Sequence, residues 1–294
     1  MPELPEVETV RVGLQRLLPG RTVQAVYADT PKSFPNATAD VEEFLIGATI
    51  LQTRRRAKVL MIDLSTEYSL VIHLKMTGQL VFRGKETFGA GHPNDSLIGE
   101  LPDRSTRVTI RFKDGSNLFF NDQRKFGWMR LMPTIEIPNI DFMKKVGPEP
   151  LSDDFTAAVF TERVLRRKNT TIKAAILDQT VLAGVGNIYA DESLFAAGIH
   201  PASIVAAIPL KKLKELHHEI IAVLKLSIEK GGSTDRNYVN AEGKRGSYID
   251  FAKVFRRDTL PCPVCGHEIL KIKVAGRGTH VCTTCQKLYK RKPS

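Results

Sequence analysis

The chain reads as an α+β protein of several domains: an N-terminal β-sandwich or barrel carrying a helix, a helical domain, and a small cysteine-bearing module at the end. Three observations predict this. Residues from about 22 to 132 read mostly as strands, helical periodicity takes over beyond residue 152, and all four cysteines fall in the last thirty-three residues. A length of 294 residues lets two domains each bury a core.

The first element is a helix. Val7, Val10, Leu14, Leu17 and Leu18 recur at helical spacing, and Pro19-Gly20 stops it. Pro5 suits the first helical position, where a missing N–H costs nothing, and Glu6 lies in the first turn near the positive end of the helix dipole. Strands follow. Segments 59–64 and 70–74 flank a short polar turn, and 108–112 and 118–120 flank Lys113-Asp114-Gly115-Ser116, a hairpin with Asp-Gly in its turn. Pro133, Pro138, Pro148 and Pro150 punctuate a connector. Helices are predicted over 152–167, 171–179, 187–197 and 209–230, the last ending at Gly231-Gly232. Residues 233–250, rich in Asn, Asp, Gly and Ser, read as a mobile loop. The division expected is 1–133 for the sandwich domain, 134–151 for a linker, 152–254 for the helical domain with its loop 233–250, and 255–294 for the terminal module.

Forty-three Lys and Arg against thirty-two Asp and Glu leave a formal charge of +11. Such an excess favours polyanions, because basic side chains displace counterions condensed on a phosphate backbone. A basic charge that serves only solubility is the alternative. No run of eighteen apolar residues and no signal-like start is present, so an intracellular protein with no membrane partner is expected.

Cys262-x-x-Cys265, sixteen residues, then Cys282-x-x-Cys285 is the spacing of a four-thiolate zinc ribbon. Two residues between thiolates let one tight turn present both sulfurs to a single ion. Two disulfides or a redox dithiol are the alternatives; an intracellular setting disfavours the first, and the second needs no duplicate. Four thiolates leave no open coordination position, so one structural Zn2+ is expected, supplying folding energy to a module too short for a core. A hairpin between the knuckles would carry Gly276-Arg277-Gly278 at its tip.

Pro2 follows the initiator methionine, and a small residue there is compatible with its removal. An α-amine has a pKa near 8 against about 10.4 for lysine, so a far larger neutral fraction is available to attack an electrophilic carbon. Glu3 and Glu6 lie within one turn, placed for proton transfer. Taken alone, these residues could equally do no more than open a helix.

Four blocks, in order along the whole chain, resemble bacterial formamidopyrimidine-DNA glycosylases. They are Met1-Pro2-Glu3-Leu4-Pro5-Glu6-Val7-Glu8-Thr9-Val10; Asp178-Gln179-Thr180 followed by residues 183–192; Lys230-Gly231-Gly232-Ser233-Thr234; and Gly276-Arg277-Gly278-Thr279-His280 with the cysteines. The resemblance implies a β-sandwich domain, a helix–two-turns–helix domain and a zinc-ribbon finger. It implies excision of 8-oxoguanine and ring-opened formamidopyrimidines from damaged duplex DNA, then strand cleavage by β,δ-elimination through a Schiff base, by a monomer in the bacterial cytoplasm.

Carried onto this chain, the resemblance makes Pro2 the nucleophile, Glu3 the acid that opens the sugar and shuttles protons, and Glu6 a support. Lys58 is the catalytic, phosphate-binding lysine, and Arg277 the finger arginine. Met76, Arg124 and Phe126 match the side chains that fill the gap left by an extruded base, since a stacked base is unreachable. His73, Lys58, Asn187 and Arg277 would clamp phosphate, with Gly184 and Gly186 letting backbone approach it. Lys168 sits at a DNA-binding lysine, and loop 233–250 corresponds to the segment that closes over the flipped base.

Two stretches depart from the family. Arg104-Ser105-Thr106-Arg107 stands where many members carry Lys-His-x-His, which makes that DNA contact altered or purely ionic. Val254-Phe255-Arg256-Arg257-Asp258-Thr259 replaces a Tyr-Gly-Arg-x-Gly pattern. Two other readings stand beside this one. An endonuclease VIII-like enzyme for oxidised pyrimidines is disfavoured by Leu4, since that branch typically starts Pro-Glu-Gly-Pro. A non-catalytic zinc-ribbon DNA-binding protein would give no covalent adduct with DNA.

Overall fold

The computed structural model describes residues 2–92, 94–233 and 248–291. Among them, strands β1 (Val23–Ala28), β2 (Ile50–Arg56), β3 (Val59–Leu64), β4 (Tyr68–His73), β5 (Gly78–Arg83), β6 (Thr87–Gly91), β7 (Thr106–Phe112), β8 (Asn117–Asp122) and β9 (Trp128–Pro133) form two antiparallel sheets. One runs β1-β7-β8-β5-β6 and the other β2-β3-β4-β9. Helices α1 (Leu4–Leu17), α2 (Thr38–Phe44), α3 (Asp141–Lys145), α4 (Ala157–Leu165), α5 (Ile172–Leu177), α6 (Asn187–Ala196) and α7 (Leu210–Glu229), with hairpin β10 (Leu270–Val274) and β11 (Arg277–Val281), complete the chain.

The chain clusters into two units. The first is Met1–Lys144 with Lys230–Ser247; the second is Lys145–Glu229 with Tyr248–Ser294.

In the first unit, the sheets sandwich a core to which β3 gives Leu60, Ile62 and Leu64, and α1 gives Val7, Val10, Leu14, Leu17 and Leu18. Strand β3 is buried at every position, unlike an ordinary half-solvated strand. Its other face, Val59 and Met61, packs with Val71 beneath Ile137, Ile140 and Phe142. The proline-punctuated connector is thus structured: a 3-10 helix over Thr134–Asn139 and then α3 cover the outer face of that sheet. The predicted Asp-Gly hairpin joins β7 to β8, with Gly115 at φ +83°.

Helix α1 starts one residue earlier than expected, so Pro5 takes the second helical position. Glu3 is its N-cap, in a capping box with Glu6: the Glu6 carboxylate accepts the Glu3 N–H at 2.8 Å.

In the second unit, α4–α7 surround a core that includes Phe160, Leu182, Tyr189, Leu194, Leu216 and Ile220. The four predicted helices are all present, each shorter than its periodic pattern. The residues trimmed from two of them are capping residues: Thr156 and Thr171 accept backbone N–H groups of the first turns of α4 and α5. Loop residues 234–247 lie outside the described residues; Tyr248 begins a 3-10 helix.

Candidate DNA glycosylase site

Pro2 is buried at the head of α1, with Glu3 and Glu6 at 3% and 5% exposure. Glu6 holds a second segment as well. Its carboxylate accepts the Ser233 N–H at 2.7 Å, and a Cβ on Gly232 would lie 3.1 Å from the same oxygen. Gly231 and Gly232 both have positive φ, so the Lys230-Gly231-Gly232-Ser233 block turns directly onto the helix head.

Lys58 occupies the two-residue turn between β2 and β3, after Ala57 in the left-handed region at φ +52°. Arg55 ties this turn to α1. Its Nε donates to Glu8 at 2.9 Å, and its Nη1 donates to the Ala57 carbonyl at 2.9 Å. Arginines 11 and 55 hold the Glu8 carboxyl below its ordinary range although burial opposes them.

His73 pairs with Val59 across the sheet, next to Lys58. Burial, reinforced by Lys75 and Lys58, pushes its pKa down to about 3. The Lys75 N–H donates to its Nδ1 at 3.0 Å, which leaves the hydrogen of the neutral ring on Nε2 as a donor.

Met76 and Phe126 are 38% and 48% exposed, at the tips of the loops leading into β5 and following β8. The Arg124 guanidinium lies 4.9 Å from the Phe126 ring centroid. Two apolar side chains and a planar cation are thus offered to solvent from one unit.

The departure Arg104-Ser105-Thr106-Arg107 does not become a row of DNA-facing cations. Ser105 and Arg107 are buried; Arg107 pairs with Asp29 and donates to the Asp122 carbonyl at 2.8 Å. Arg104 stays exposed.

In the second unit, Asn187 opens α6 and its amide donates to the Gly278 carbonyl at 3.0 Å. Gly184 is in the left-handed region at φ +80°, where glycine is favoured, whereas Gly186 is extended and acts as the N-cap. Arg277 is exposed and begins strand β11 opposite Val274. This corrects the expected hairpin: Ala275-Gly276, at φ +51° and +72°, makes the turn, so Arg277 is held by the ladder. Lys168 is exposed after α4, while neighbouring Arg166 and Arg167 are paired with Glu162 and Asp178.

The sulfurs of Cys262, Cys265, Cys282 and Cys285 lie within 4.8 Å of one another. Separations of 3.8 Å and 3.4 Å are far too long for disulfides and close to the edge of about 3.8 Å that 2.3 Å zinc–sulfur bonds give in a tetrahedron. The residues fit one structural zinc ion.

Several residues that build this half carried no motif. Lys173 and Asp191 form a fully buried pair at 2.6 Å. Lys173 also donates to Thr279 Oγ1 at 2.7 Å, and Asp191 accepts the His280 N–H at 2.9 Å. Glu192, its pKa raised by burial, accepts the N–H groups of Lys253, Val254 and Phe255. The clue in the sequence was a charged pair within the otherwise apolar run of α6, and a lysine inside Ile172–Leu177.

Three family models cover most of the chain: the formamidopyrimidine-DNA glycosylase N-terminal domain over residues 1–129, the formamidopyrimidine-DNA glycosylase H2TH domain over 146–238, and a zinc finger found in FPG and IleRS over 260–288. The chain belongs to the formamidopyrimidine-DNA glycosylase family. Family members named formamidopyrimidine-DNA glycosylase include one from Bacillus licheniformis, 42% identical over 98% of this chain and all of its own, and one from Pelotomaculum thermopropionicum, 39% identical over the same shares. Among solved structures of the family, a mutant of the Lactococcus lactis protein with Fapy-dG-containing DNA superposes with a TM-score of 0.85 at 35% identity, covering 97% of this chain and 100% of that one. The Lactococcus lactis protein with abasic-site DNA gives 0.85 at 34% identity, covering 97% and 99%. Among the described residues, no helix is long and apolar enough to cross a membrane.

Proposed function

We propose that this chain is a bifunctional base-excision repair glycosylase that removes oxidised purines from damaged duplex DNA and cuts the strand at the resulting abasic site. The observation that carries the residue assignment is the buried head of α1, where Pro2, Glu3 and Glu6 share one capped turn that Arg55 and Glu8 link to the turn bearing Lys58. Family membership supplies the reaction class.

After removal of Met1, the neutral Pro2 nitrogen attacks C1′ of the flipped nucleotide and the damaged base departs with the glycosidic electron pair. Glu3 delivers a proton to the ring oxygen as the sugar opens, leaving an iminium on Pro2. Loss of a C2′ proton then expels the 3′ phosphate, and a second elimination expels the 5′ phosphate. Glu6 fixes the helix head rather than reacting, since both its oxygens already accept backbone N–H groups.

Lys58 and the Nε2–H of His73 supply phosphate donors in the first unit, as Asn187, Arg277 and Lys168 do in the second. Met76, Arg124 and Phe126 fill the vacated stack. Zinc, held by the four cysteines, stiffens the hairpin that presents Arg277. We place the reaction in the bacterial cytoplasm, where chromosomal DNA is the substrate, and in a monomer.

Borohydride trapping on duplex carrying 8-oxoguanine opposite cytosine tests the proposal. A covalent protein–DNA adduct is expected, weakened by Pro2→Gly and abolished by an N-terminal extension. Full trapping by the extended protein, or faster excision of thymine glycol than of 8-oxoguanine, would overturn it.

A further inference from the structure

We propose that Asp122 is a positioning residue, acting with Thr77 to lock together the loops that carry Met76 and Arg124–Phe126 so that the three side chains enter the duplex as one unit. This rests on the gap-filling reading of those side chains given above.

The two loops are irregular, and their backbones have little to hold them. Pairing of Gly78 with Asp122 ends the β5–β8 ladder at their roots. Among the described residues, no further backbone hydrogen bond joins residues 75–77 to 123–127. The links run instead through side chains. The Asp122 carboxylate, with no solvent exposure, accepts the Thr77 hydroxyl and the Arg124 N–H at 3.2 Å on one oxygen, and the Gly127 N–H at 2.6 Å on the other. Thr77 Oγ1 in turn accepts the Arg124 N–H at 3.0 Å.

The surroundings enforce this arrangement. A Cβ on Gly127 would fall 3.0 Å from Asp122 Oδ2 and 2.8 Å from Phe120, so the chain passes the carboxylate only as glycine. Lys125, at φ +55°, completes the reversal between Arg124 and Phe126. The buried Arg107 guanidinium, set by Asp29, grips the Asp122 carbonyl from behind.

A buried carboxylate is costly unless hydrogen bonds replace its water. Here the replacing donors come from both loops, so neither can move without stranding the charge. Rigid roots beneath exposed tips are what insertion into stacked DNA demands, because each degree of freedom left in the wedge is lost on entry.

Thr77→Val, which removes the hydroxyl and keeps the shape, isolates the link; Thr77→Ser restores it. Two rates are compared: excision of 8-oxoguanine from duplex, where a gap must be filled, and cleavage of an abasic site in single-stranded DNA, where none exists. Thr77→Val is expected to slow the duplex reaction roughly tenfold, the scale of one lost buried charge-assisted hydrogen bond, with the single-strand reaction unchanged and Thr77→Ser near the parent. Equal loss on both substrates, no loss on duplex, or failure of serine to rescue overturns the proposal. Met76→Ala and Arg124→Ala serve as controls. If they leave duplex excision unchanged, gap filling itself fails and the proposal with it; if they slow it while Thr77→Val does not, only the anchor is wrong.

Discussion

Replacing Lys173 with methionine removes a buried ammonium and leaves Asp191 charged at a site with no solvent exposure. The structure sets the size of the effect. The lost contacts include the 2.6 Å ion pair, the 2.7 Å bond to Thr279 and a longer one, 3.4 Å, to the Gly278 carbonyl. Breaking a buried pair from one side costs about 3–5 kcal/mol. Asp191 still accepts the His280 N–H at 2.9 Å, so the low end, about 3 kcal/mol, applies. In a unit of this size that corresponds to a fall in Tm of roughly 6–12 °C. Adding Asp191→Asn removes the stranded charge while keeping an acceptor for His280, and should recover about 2 kcal/mol. Urea and thermal unfolding of the zinc-loaded single and double variants measure this, with metal content checked in parallel. The Lys173→Met variant within 1 kcal/mol of the parent, or no recovery by Asp191→Asn, would refute the reasoning, because the pair would then be solvated. Thr279 and His280 follow Arg277 by two and three residues on β11, so DNA affinity should fall in the same variant even where it remains folded.

The other expectations follow from the same kind of contact. His73 is held neutral in the fold down to pH about 3, whereas the unfolded chain protonates it near its ordinary 6.5. Stability is therefore lost as pH falls through that window, with a slope of at most about 1.4 kcal/mol per pH unit; His73→Gln should flatten a Tm–pH profile between 6 and 4. Arg277→Ala should weaken lesion-DNA binding and its salt dependence while zinc stays bound, because the side chain is exposed and the cysteines are elsewhere; loss of metal by atomic absorption would make it structural. Chelation should unfold the module and abolish strand cutting, so full activity in verified zinc-free protein would count against the metal assignment. Gly232→Ala forces a left-handed residue against Glu6, costing roughly 1–2 kcal/mol, and should slow borohydride trapping by releasing the Ser233 contact.

Much of the architecture was legible because it rests on periodicity and local chemistry. The apolar spacing of α1, the Asp-Gly turn between β7 and β8, and the paired Cys-x-x-Cys knuckles each follow from a few neighbouring residues. The Pro2-Glu3-Leu4-Pro5-Glu6 start and Gly276-Arg277-Gly278 were legible as motifs, though their roles came from resemblance rather than spacing. Where local reading went astray, a long-range partner intervened. The stretch Arg104-Ser105-Thr106-Arg107 reads as an altered or purely ionic contact, and Asp29, seventy-eight residues from Arg107, takes that guanidinium into the interior. The connector 134–151 reads as a linker from its prolines, while Ile137, Ile140 and Phe142 within it form an apolar face that covers β3 and β4.

The sequence by itself determined helix α1, the helices of the second unit, the β7–β8 hairpin and the metal knuckles, since period, turn residues and thiol spacing act within a few residues of each other. Helix α2, inside a stretch that reads as strands, was not legible. Only the tertiary structure decided which charges are spent inside the protein. Asp122, Lys173, Asp191 and Glu192 are all buried, each answered by donors or acceptors from segments remote in sequence, Asp122 by the Thr77 hydroxyl. Burial changes what an ionisable group can do, and no local pattern records it: a lysine in an apolar helix reads the same whether its partner is water or a carboxylate eighteen residues away.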